Sequence, residues 1–508
     1  MLVRRIVWAL IALGLLTGLG GANAAPHASS AIVRKLNRLL PAGGDVGFDL
    51  KITPDGRAAV FVADQEVDQR FELYRAALPA DGPAGKLSDP AHGSVFSFAL
   101  APDSQRAIYQ TAADPLTGSN NLYGVALAGG PVAHLGPPAS AGAVLTLEQI
   151  AITPDSTRVI YSTLSHTTGE MHLYSVPITG GTPTRLDADF AASFQVDTFA
   201  ISPDSQLVAF TWADIMADDY HLVTVPAAGG EPTDVYANDD FDLAPRDLSV
   251  TTDAQVLFTS GLGLYEAPVS GGAVLTRSLD VYAHQLLAAE DLIVLWRDAD
   301  HNNQHELIAI NRGSGAVAQL SPAGQHASQF SHAFSADHQA LIFTTRGVST
   351  TFLYSAALSG GPPELLAENP NGIIVADLTP DGQTVIYQLY QSGYGPPWSV
   401  PTSGGPASPL LAGAPPQTQV LSHALPTADS QAALVVIDRT NGVELVRLPL
   451  GGSPERISPP LVAGGMIFML GRYAGGAIYI ADQELDDRFE AYDVRFSGQR
   501  LYLPMLRR

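Results

Sequence analysis

Apolar and polar positions alternate along this chain in short runs that are separated by tight-turn residues. In the stretch 149–187, Ile150 and Ile152 alternate with small or polar neighbours, as in a strand with one buried face. The Pro-Asp-Ser sequence at 154–156 favours a type I turn, and the Gly-Gly pair at 180–181 permits the positive φ angles of a tight hairpin. The stretch therefore predicts four strands that form one small antiparallel sheet.

The same unit recurs along the chain. Its Pro-Asp turn stands at 54–56, 102–104, 154–156, 203–205 and 380–382, with degenerate copies at 252–253, 290–291, 336–337 and 428–429. Gly-Gly pairs follow at 129, 180, 229, 271, 360, 404 and 451, and Gly-Ser-Gly at 313–315 fills the missing place. With a final unit whose first turn is at 474–476, the chain contains ten repeats. Four strands per repeat at this period predict an all-β protein, a β-propeller of about ten four-stranded antiparallel blades.

Two arrangements of ten blades remain open from the sequence. A single ring of ten is larger than the usual range of about 4–8 blades, so two smaller rings are one alternative. The shortest repeat spacing would place their boundary near 275–280. Residues 32–37, however, have the pattern of an outer strand without a blade of its own. They are predicted to complete the last blade, which favours one closed ring.

The repeated I-[ST]-P-D-[GS]-x-x-[VIL] segment, followed by [LIV]-Y and Gly-Gly, resembles the TolB-type, WD-like propeller repeat. The resemblance covers residues 25–508. It implies a propeller fold, but this repeat family includes binding proteins, accessory domains of peptidases and some lyases. The resemblance therefore implies no single activity.

Composition narrows the classes of function. The 48 glycines, 37 prolines and only 15% charged residues suit short strands and tight turns rather than helices. The net charge of −23 argues against a nucleic-acid partner, because phosphate binding needs basic surface. The chain has no cysteine, which excludes disulfides, thiol catalysis and thiolate metal sites.

The N-terminus has the order of a secretory signal peptide. Two arginines at 4–5 precede an apolar run at 6–19 and small residues at 22–24. Residues 1–24 are therefore predicted to be removed before Ala25. The mature chain is expected to be exported to the periplasm, the cell surface or the extracellular space, with no membrane span after cleavage.

Three loops between predicted second and third strands share a pattern of oxygen-bearing side chains. The loops begin at residues 63, 298 and 481, and the first and last are nearly identical. Their matching residues are Asp64, Glu66, Asp68 and Glu72; Asp298, Asp300, Asn302 and Glu306; and Asp482, Glu484, Asp486 and Glu490. Alternating oxygen ligands followed by a distal Glu can hold a hard cation such as Ca²⁺. The alternative is a solvated hairpin tip whose Asp and Asn side chains bond to their own backbone.

Histidines provide a second candidate site. His284, His332 and His423 fall on or near first strands, which line the channel of WD-like propellers. The family resemblance implies that such channel histidines can hold a divalent metal, as in related polysaccharide lyases. The chain has no Gly-x-Ser-x-Gly elbow and no phosphate-binding glycine loop. The sequence therefore gives no motif support for a serine hydrolase or for a nucleotide-binding protein.

These observations favour an exported, non-enzymatic binding or scaffold protein that recognises a protein or glycan partner through its loops. The alternative function is a metal-assisted polysaccharide lyase of the oligogalacturonate type, with its site in the propeller channel. The sequence leaves the ligand and the oligomeric state open.

Overall fold

A computed structural model describes residues 31–111, 120–136, 145–187, 195–214, 218–287, 291–335, 337–390, 393–414, 418–439, 442–485 and 487–496. The predicted signal peptide lies outside these residues. Within them, the secondary structure consists of β-strands and two 3₁₀ turns, Pro90–His92 and Phe241–Leu243. The all-β prediction is confirmed.

The strands form ten consecutive sheets, and each sheet is one blade. Blades 1 to 3 contain β2 (Val46–Ile52), β3 (Ala58–Ala63), β4 (Glu72–Ala77) and β5 (Gly85–Lys86); β6 (Val95–Leu100), β7 (Arg106–Thr111), β8 (Asn121–Ala126) and β9 (Ala133–His134); and β10 (Leu145–Ile152), β11 (Arg158–Ser165), β12 (Met171–Pro177) and β13 (Thr184–Arg185). Blades 4 to 6 contain β14 (Gln195–Ile201), β15 (Leu207–Asp214), β16 (Asp219–Pro226) and β17 (Thr233–Asn238); β18 (Arg246–Val250), β19 (Gln255–Ser260), β20 (Gly263–Pro268) and β21 (Leu275–Ser278); and β22 (Val281–Leu287), β23 (Leu292–Arg297), β24 (Glu306–Asn311) and β25 (Val317–Gln319).

The remaining blades repeat this order. Blades 7 and 8 contain β26 (His326–Phe334), β27 (Ala340–Arg346), β28 (Thr351–Ala357) and β29 (Glu364–Asn369); and β30 (Ile373–Leu378), β31 (Thr384–Tyr390), β32 (Tyr394–Pro401) and β33 (Ser408–Pro409). Blade 9 has a first strand split into β34 (Gln419–Val420) and β35 (Leu425–Pro426), followed by β36 (Ala432–Arg439), β37 (Gly442–Pro449) and β38 (Glu455–Arg456). Blade 10 contains β39 (Ile467–Tyr473), β40 (Gly476–Ala481), β41 (Glu490–Arg495) and the N-terminal strand β1 (Ile32–Lys35).

The N-terminal strand completes the last blade. β1 pairs antiparallel with β41, with Ile32 opposite Arg495 and Lys35 opposite Tyr492. The predicted outer strand at 32–37 is therefore confirmed. Because β1 supplies the outer strand of blade 10, strands from the beginning and the end of the described chain share one four-stranded sheet.

Ten apolar clusters show that the blades form one ring. Each cluster is shared by two consecutive blades, from blades 1 and 2 through to blades 9 and 10. The last cluster joins blade 10 to blade 1 and places Leu36 and Ile478 against Val46 and Phe61. First strands of neighbouring blades contact each other, as β2 contacts β39, so they surround the central channel. The two-ring alternative is wrong.

The predicted boundary near 275–280 is instead a packed junction. Buried side chains of blades 5 and 6 form one cluster there. Beside it, the buried guanidinium of Arg312 bonds to Asp291 (2.7 Å), Glu266 (2.7 Å) and Asp253 (3.0 Å). Burial raises the pKa of Glu266, but Arg312 and Arg277 outweigh burial and lower the pKa overall. The ion pairs connect the Pro-Asp-type turns of both blades. The short repeat spacing therefore marks a junction held by ion pairs, and not a boundary between two rings.

The repeated turn explains why the sequence folds this way locally. In blade 3 the Thr153 hydroxyl donates to Asp155 (2.6 Å) and accepts the N–H of Arg158 (3.0 Å). Ser156, at φ +62°, accepts the N–H of Asp103 from the preceding blade (3.0 Å). Equivalent bonds between blades join Asp55 to Ser104, Asp155 to Ser205 and Asp381 to Ser430. One short motif therefore closes the hairpin and forms a hydrogen bond to the turn of a neighbouring blade.

Candidate binding surface on the loop face

The antiparallel order of each blade divides its connections between two faces. In blade 1, the turns at 53–57 and 78–84 lie at one end of the sheet, and we name this end the turn face. The loop at 64–71 and the connection to blade 2 at 87–94 lie at the other end, which we name the loop face. Every blade repeats this order, so the three acidic loops all lie on the loop face.

The first carboxylate of each acidic loop is buried and bonded to backbone. Asp64 accepts the N–H groups of Asp45 and Gln69, the latter at 2.9 Å. Asp298 and Asp482 accept backbone N–H groups in the same way. Burial raises the pKa of Asp298, but the N–H donors of its loop outweigh burial and lower the pKa overall. These three carboxylates hold the shape of their loops, as the hairpin-tip alternative expects.

The distal glutamates lie at the start of third strands, and each has a partner in its own blade. Glu72 accepts the Ser88 hydroxyl (2.5 Å), and burial raises the pKa of Glu72. Glu490 pairs with Lys35 at 2.8 Å. Glu306 pairs with the arginine at the end of the neighbouring strand, at 3.4 Å. Each distal carboxylate therefore already has a partner in its own blade.

Two residues nearer the loop tips form equivalent ion pairs in blades 1 and 10. Glu66 pairs with Lys86 of β5 at 2.8 Å, and Glu484 pairs with Lys35 of β1 at 2.8 Å. Burial lowers the pKa of Lys35, but its bonds to Glu484 and Glu490 outweigh burial and raise it. The outer strands thus supply a cation to each of these two loops, which partly neutralises them.

The remaining loop residues do not complete a cation site among the described residues. Asp300 accepts the side-chain amide of Asn302 (2.7 Å), Asp68 lies beside Gly43, and Asp486 is outside the described residues. In the part of the chain that the structure describes, no group of three or more His, Asp or Glu side chains is arranged to hold a metal ion. Calcium binding by these loops stays a prediction.

Ring closure brings two of the three acidic loops together. The Asp45 carboxylate accepts the N–H of Phe489 in the blade 10 loop (3.0 Å), while its own N–H donates to Asp64 in the blade 1 loop. The blade 6 loop lies half-way around the ring. The two loops with nearly identical sequences, in blades 1 and 10, are therefore neighbours on the surface.

The candidate histidines lie on separate blades with separate partners. His332 Nε2 is 3.3 Å from the Gln285 side chain of blade 6, and its ring packs against Trp296 (4.8 Å between centroids). His423 Nε2 bonds to the Tyr394 hydroxyl of blade 8 at 2.7 Å. His284 lies in β22, but its side chain is outside the described part. The metal-holding role of these histidines stays a prediction.

Exposed apolar side chains are concentrated on the loop face, a feature that the sequence analysis did not find. Among the described residues, the large exposed hydrophobic side chains on this face are Leu39, Phe48, Val67, Phe96, Phe241, Leu243, Leu262, Leu279, Val348, Tyr390, Leu421 and Leu485. The others, Ile32, Val274, Leu275, Val317 and Leu365, belong to outer strands or adjoin one. A sequence signal existed: apolar residues interrupt the aspartates of the connection at 238–247.

At ring closure the exposed Phe48 belongs to an aromatic cluster whose other members are partly buried. Phe48 of blade 1 packs against Phe468 and Phe489 of blade 10, with centroid distances of 5.1 and 5.4 Å. Phe48 and Phe468 both lie in first strands, so the cluster lies at the channel mouth between the two acidic loops. This region can contact a ligand through aromatic and acidic groups together.

Comparisons with known proteins support the fold and leave the family open. No protein-family model matches the chain, and no curated protein matches it. A eukaryotic initiation factor structure aligns at 10% identity with a TM-score of 0.51, over 74% of this chain and 90% of that one. An oligogalacturonate lyase in complex with manganese aligns at 12% identity, TM-score 0.37, over 93% and 95%. A prolyl endopeptidase aligns at 12% identity, TM-score 0.41, over 78% of this chain, which spans about half (55%) of that one.

The ten sheets and the cluster that joins the last to the first define the class of this protein, a ten-bladed β-propeller, and the initiation factor alignment supports the fold. Identities this low show the fold alone, so membership of the TolB-type family stays a prediction. The described residues include no helix long and apolar enough to cross a bilayer.

Proposed function

We propose that this protein is an exported binding propeller that recognises a protein or glycan partner through its loop face. The observation that supports this is the one-sided distribution of exposed apolar side chains. Scattered exposed apolar residues are normal on soluble proteins, but their concentration on one face is typical of an interaction surface. Connections held on a rigid scaffold are also where binding residues commonly occur.

A paired substitution tests the loop face directly. Leu262 on the loop face and Leu275 in β21 are equally exposed, at 52% and 51%. The mature chain, Leu262→Ser and Leu275→Ser would be applied to the same peptide and glycan arrays. We expect Leu262→Ser to reduce the wild-type signal on the bound spots, while Leu275→Ser leaves it unchanged. Loss of signal in both variants alike, or an absence of bound spots with the wild type, would contradict the proposal.

The lyase alternative and the export proposal need separate measurements. Incubation with oligogalacturonate and Mn²⁺ should produce no rise in the absorbance of unsaturated sugar ends. A rise that disappears in His332→Ala would replace the binding proposal with the lyase.

Export rests on the signal sequence at 1–24, and N-terminal sequencing of the secreted protein should return Ala25 as the first residue.

A further inference from the structure

One part of the loop face combines exposed apolar side chains with an acidic border. At the junction of blades 4 and 5, Phe241, Leu243 and Leu262 are 59%, 39% and 52% exposed, and we name these three residues the Phe241 patch. Leu243 lies against Gly261, whose added Cβ would be 3.0 Å from Leu243 Cδ2. Leu262 follows Gly261 directly, so blades 4 and 5 together form one apolar surface.

The base of the patch is packed and hydrogen-bonded. The Phe241 ring packs edge-on against Tyr220 with 5.8 Å between centroids, and Tyr220 is buried. The segment itself is a 3₁₀ turn, in which the Asp240 carboxylate accepts the N–H of Asp242 (3.0 Å). A preformed surface loses little conformational entropy when a ligand binds.

Carboxylates surround the patch. The exposed members of this border are Asp218, Asp239, Asp240, Asp242 and Asp247. Within the described residues, none of the five forms an ion pair with a lysine or arginine, and Arg246 is the one basic residue in the segment 236–248. An acidic border of this kind attracts cationic groups and repels anionic ones.

The acidic loops at ring closure differ in this respect. There, Lys86 pairs with Glu66, and Lys35 pairs with both Glu484 and Glu490. Those carboxylates are partly neutralised inside the molecule. The border of the Phe241 patch keeps its negative charge available to a partner.

The patch also contains an intramolecular example of the contact that a basic ligand would make. The Arg246 guanidinium lies over the Phe241 ring, 5.3 Å from the ring centroid. This geometry is a cation–π contact, which is favourable for arginine and lysine. The Phe241 ring thus already holds one cation, and the carboxylates of the border supply the opposite charge that further cations would meet.

We propose that the Phe241 patch binds a basic segment of a partner protein in which apolar side chains alternate with lysine or arginine. This inference rests on the proposed function and names the partner class for one part of the loop face. Apolar side chains of such a segment would cover the patch and its cations would reach the carboxylates. A neutral glycan would form no ion pairs with the border carboxylates, and these carboxylates would repel an acidic glycan.

The test uses the mature chain and fluorescein-labelled synthetic peptides, with binding followed by fluorescence anisotropy. A peptide of alternating lysine and leucine should bind, and added salt should weaken the complex because screening reduces the charge contribution. A glutamate–leucine peptide should not bind. A lysine–serine peptide and spermine should bind at least roughly tenfold more weakly, because they lack apolar side chains. Equal binding of spermine or of the glutamate–leucine peptide would overturn the proposal.

Variants locate the site. Leu262→Ser and the triple change Asp239→Asn/Asp240→Asn/Asp242→Asn should each weaken lysine–leucine binding about tenfold. The matched control removes three exposed carboxylates elsewhere, in Asp81→Asn/Glu231→Gln/Glu364→Gln, and should leave binding within about twofold. Thermal unfolding of each variant confirms that it is folded.

Two results separate this inference from the proposed function. If the arrays show loop-face binding but the lysine–leucine peptide does not bind, the inference is wrong and the proposed function stands. If the control triple weakens binding as much as the patch triple, the net negative charge of the whole protein attracts the peptide, and the patch is not the binding site. An absence of loop-face binding on the arrays would overturn both.

Discussion

The turn face and the loop face of this propeller are built from different chemistry. On the turn face, Thr or Ser hydroxyls bond to Asp and to backbone in blades 1, 3, 4, 5, 7, 8 and 9. On the loop face, the connections differ from blade to blade, and most of the large exposed apolar residues of the described chain lie there with the acidic loops. The comparison indicates that the turn face maintains the ring, and it is consistent with the proposed role of the loop face in recognition.

The same contrast holds for carboxylates. On the turn face, the Asp204 carboxylate accepts the Ser202 hydroxyl (2.6 Å) and the N–H of Gln206 (3.0 Å), and these bonds lower its pKa. On the loop face, the border of the Phe241 patch contains carboxylates that form no ion pair with lysine or arginine within the described residues. Carboxylates bonded within the repeated turn support the fold. The border carboxylates carry charge that no lysine or arginine pairs with in the described part of the chain, while Asp240 also accepts the N–H of Asp242.

The largest effect is expected from the core residue that directly follows the closing strand β1. Leu36 is fully buried between blades 10 and 1, while Leu39, three residues later on the loop face, is 82% exposed. Leu36→Ala should lower the free energy of unfolding by about 2–5 kcal/mol, because it leaves a cavity at ring closure. Leu39→Ala should change it by less than about 0.5 kcal/mol. Chemical denaturation measures both, and equal effects would mean that β1 does not close the ring.

The next effect concerns the turn face. Thr153→Val keeps the side-chain shape but removes the hydroxyl that donates to Asp155 and accepts the N–H of Arg158. We expect a loss of about 1–3 kcal/mol, since a partly buried N–H loses its partner. Blade 2 has Ala101 at this position and provides the reverse change. Ala101→Thr should stabilise the protein by up to about 1 kcal/mol, and a loss there would contradict the role assigned to the hydroxyl.

The sequence predicted most of the fold because its signals are local and repeated. The Pro-Asp turn and the Gly-Gly pair each fix backbone geometry within a few residues, so ten copies gave ten blades and the correct strand order. The closing strand was predictable because residues 32–37 have an outer-strand pattern without a blade. The choice between one and two rings depended on packing between blades, such as the Arg312 ion pairs, and spacing alone does not contain that information.

The candidate site was less predictable, because its properties depend on contacts between distant segments. The acidic pattern at 63–72 and 481–490 was visible, but its neutralisation by Lys86 and Lys35 arises from outer strands that the sequence did not assign to these loops. The Phe241 patch needs Leu262 of the next blade to form one surface. Such contacts follow from ring geometry rather than from a local motif.

The third prediction concerns calcium and sharpens the contrast within the loop face. If the closure loops bind Ca²⁺, a concentration ten times the dissociation constant should stabilise the protein by about 1.4 kcal/mol. Glu66→Gln/Asp68→Asn should reduce that gain. Asp64 is left unchanged, because it is buried and accepts two backbone N–H groups. Melting curves at matched ionic strength check this, and coincident curves with and without calcium would leave the solvated-loop alternative.

The fourth prediction follows the pKa of Asp204. Because bonds to Ser202 and Gln206 lower this pKa in the folded state, the carboxylate stabilises the protein above the unfolded pKa, 3.8. That contribution is lost as pH falls through the lower, folded pKa. Asp204→Asn should therefore be less stable than wild type at pH 7, by only a few tenths of a kcal/mol because solvent screens the group. The difference should shrink as the pH falls below 3.8, and a difference that grows on acidification would contradict it.

The smallest effect on stability is expected from the Phe241 patch itself. Phe241→Ser and Leu262→Ser remove exposed side chains and leave the buried clusters of blades 4, 5 and 6 intact. Each should change the free energy of unfolding by less than about 0.5 kcal/mol, the usual range for surface substitutions. Chemical denaturation of both variants beside wild type checks this. If either variant lost as much stability as Thr153→Val, the apolar residues would be supporting the ring, and the division between a structural turn face and a recognising loop face would fail.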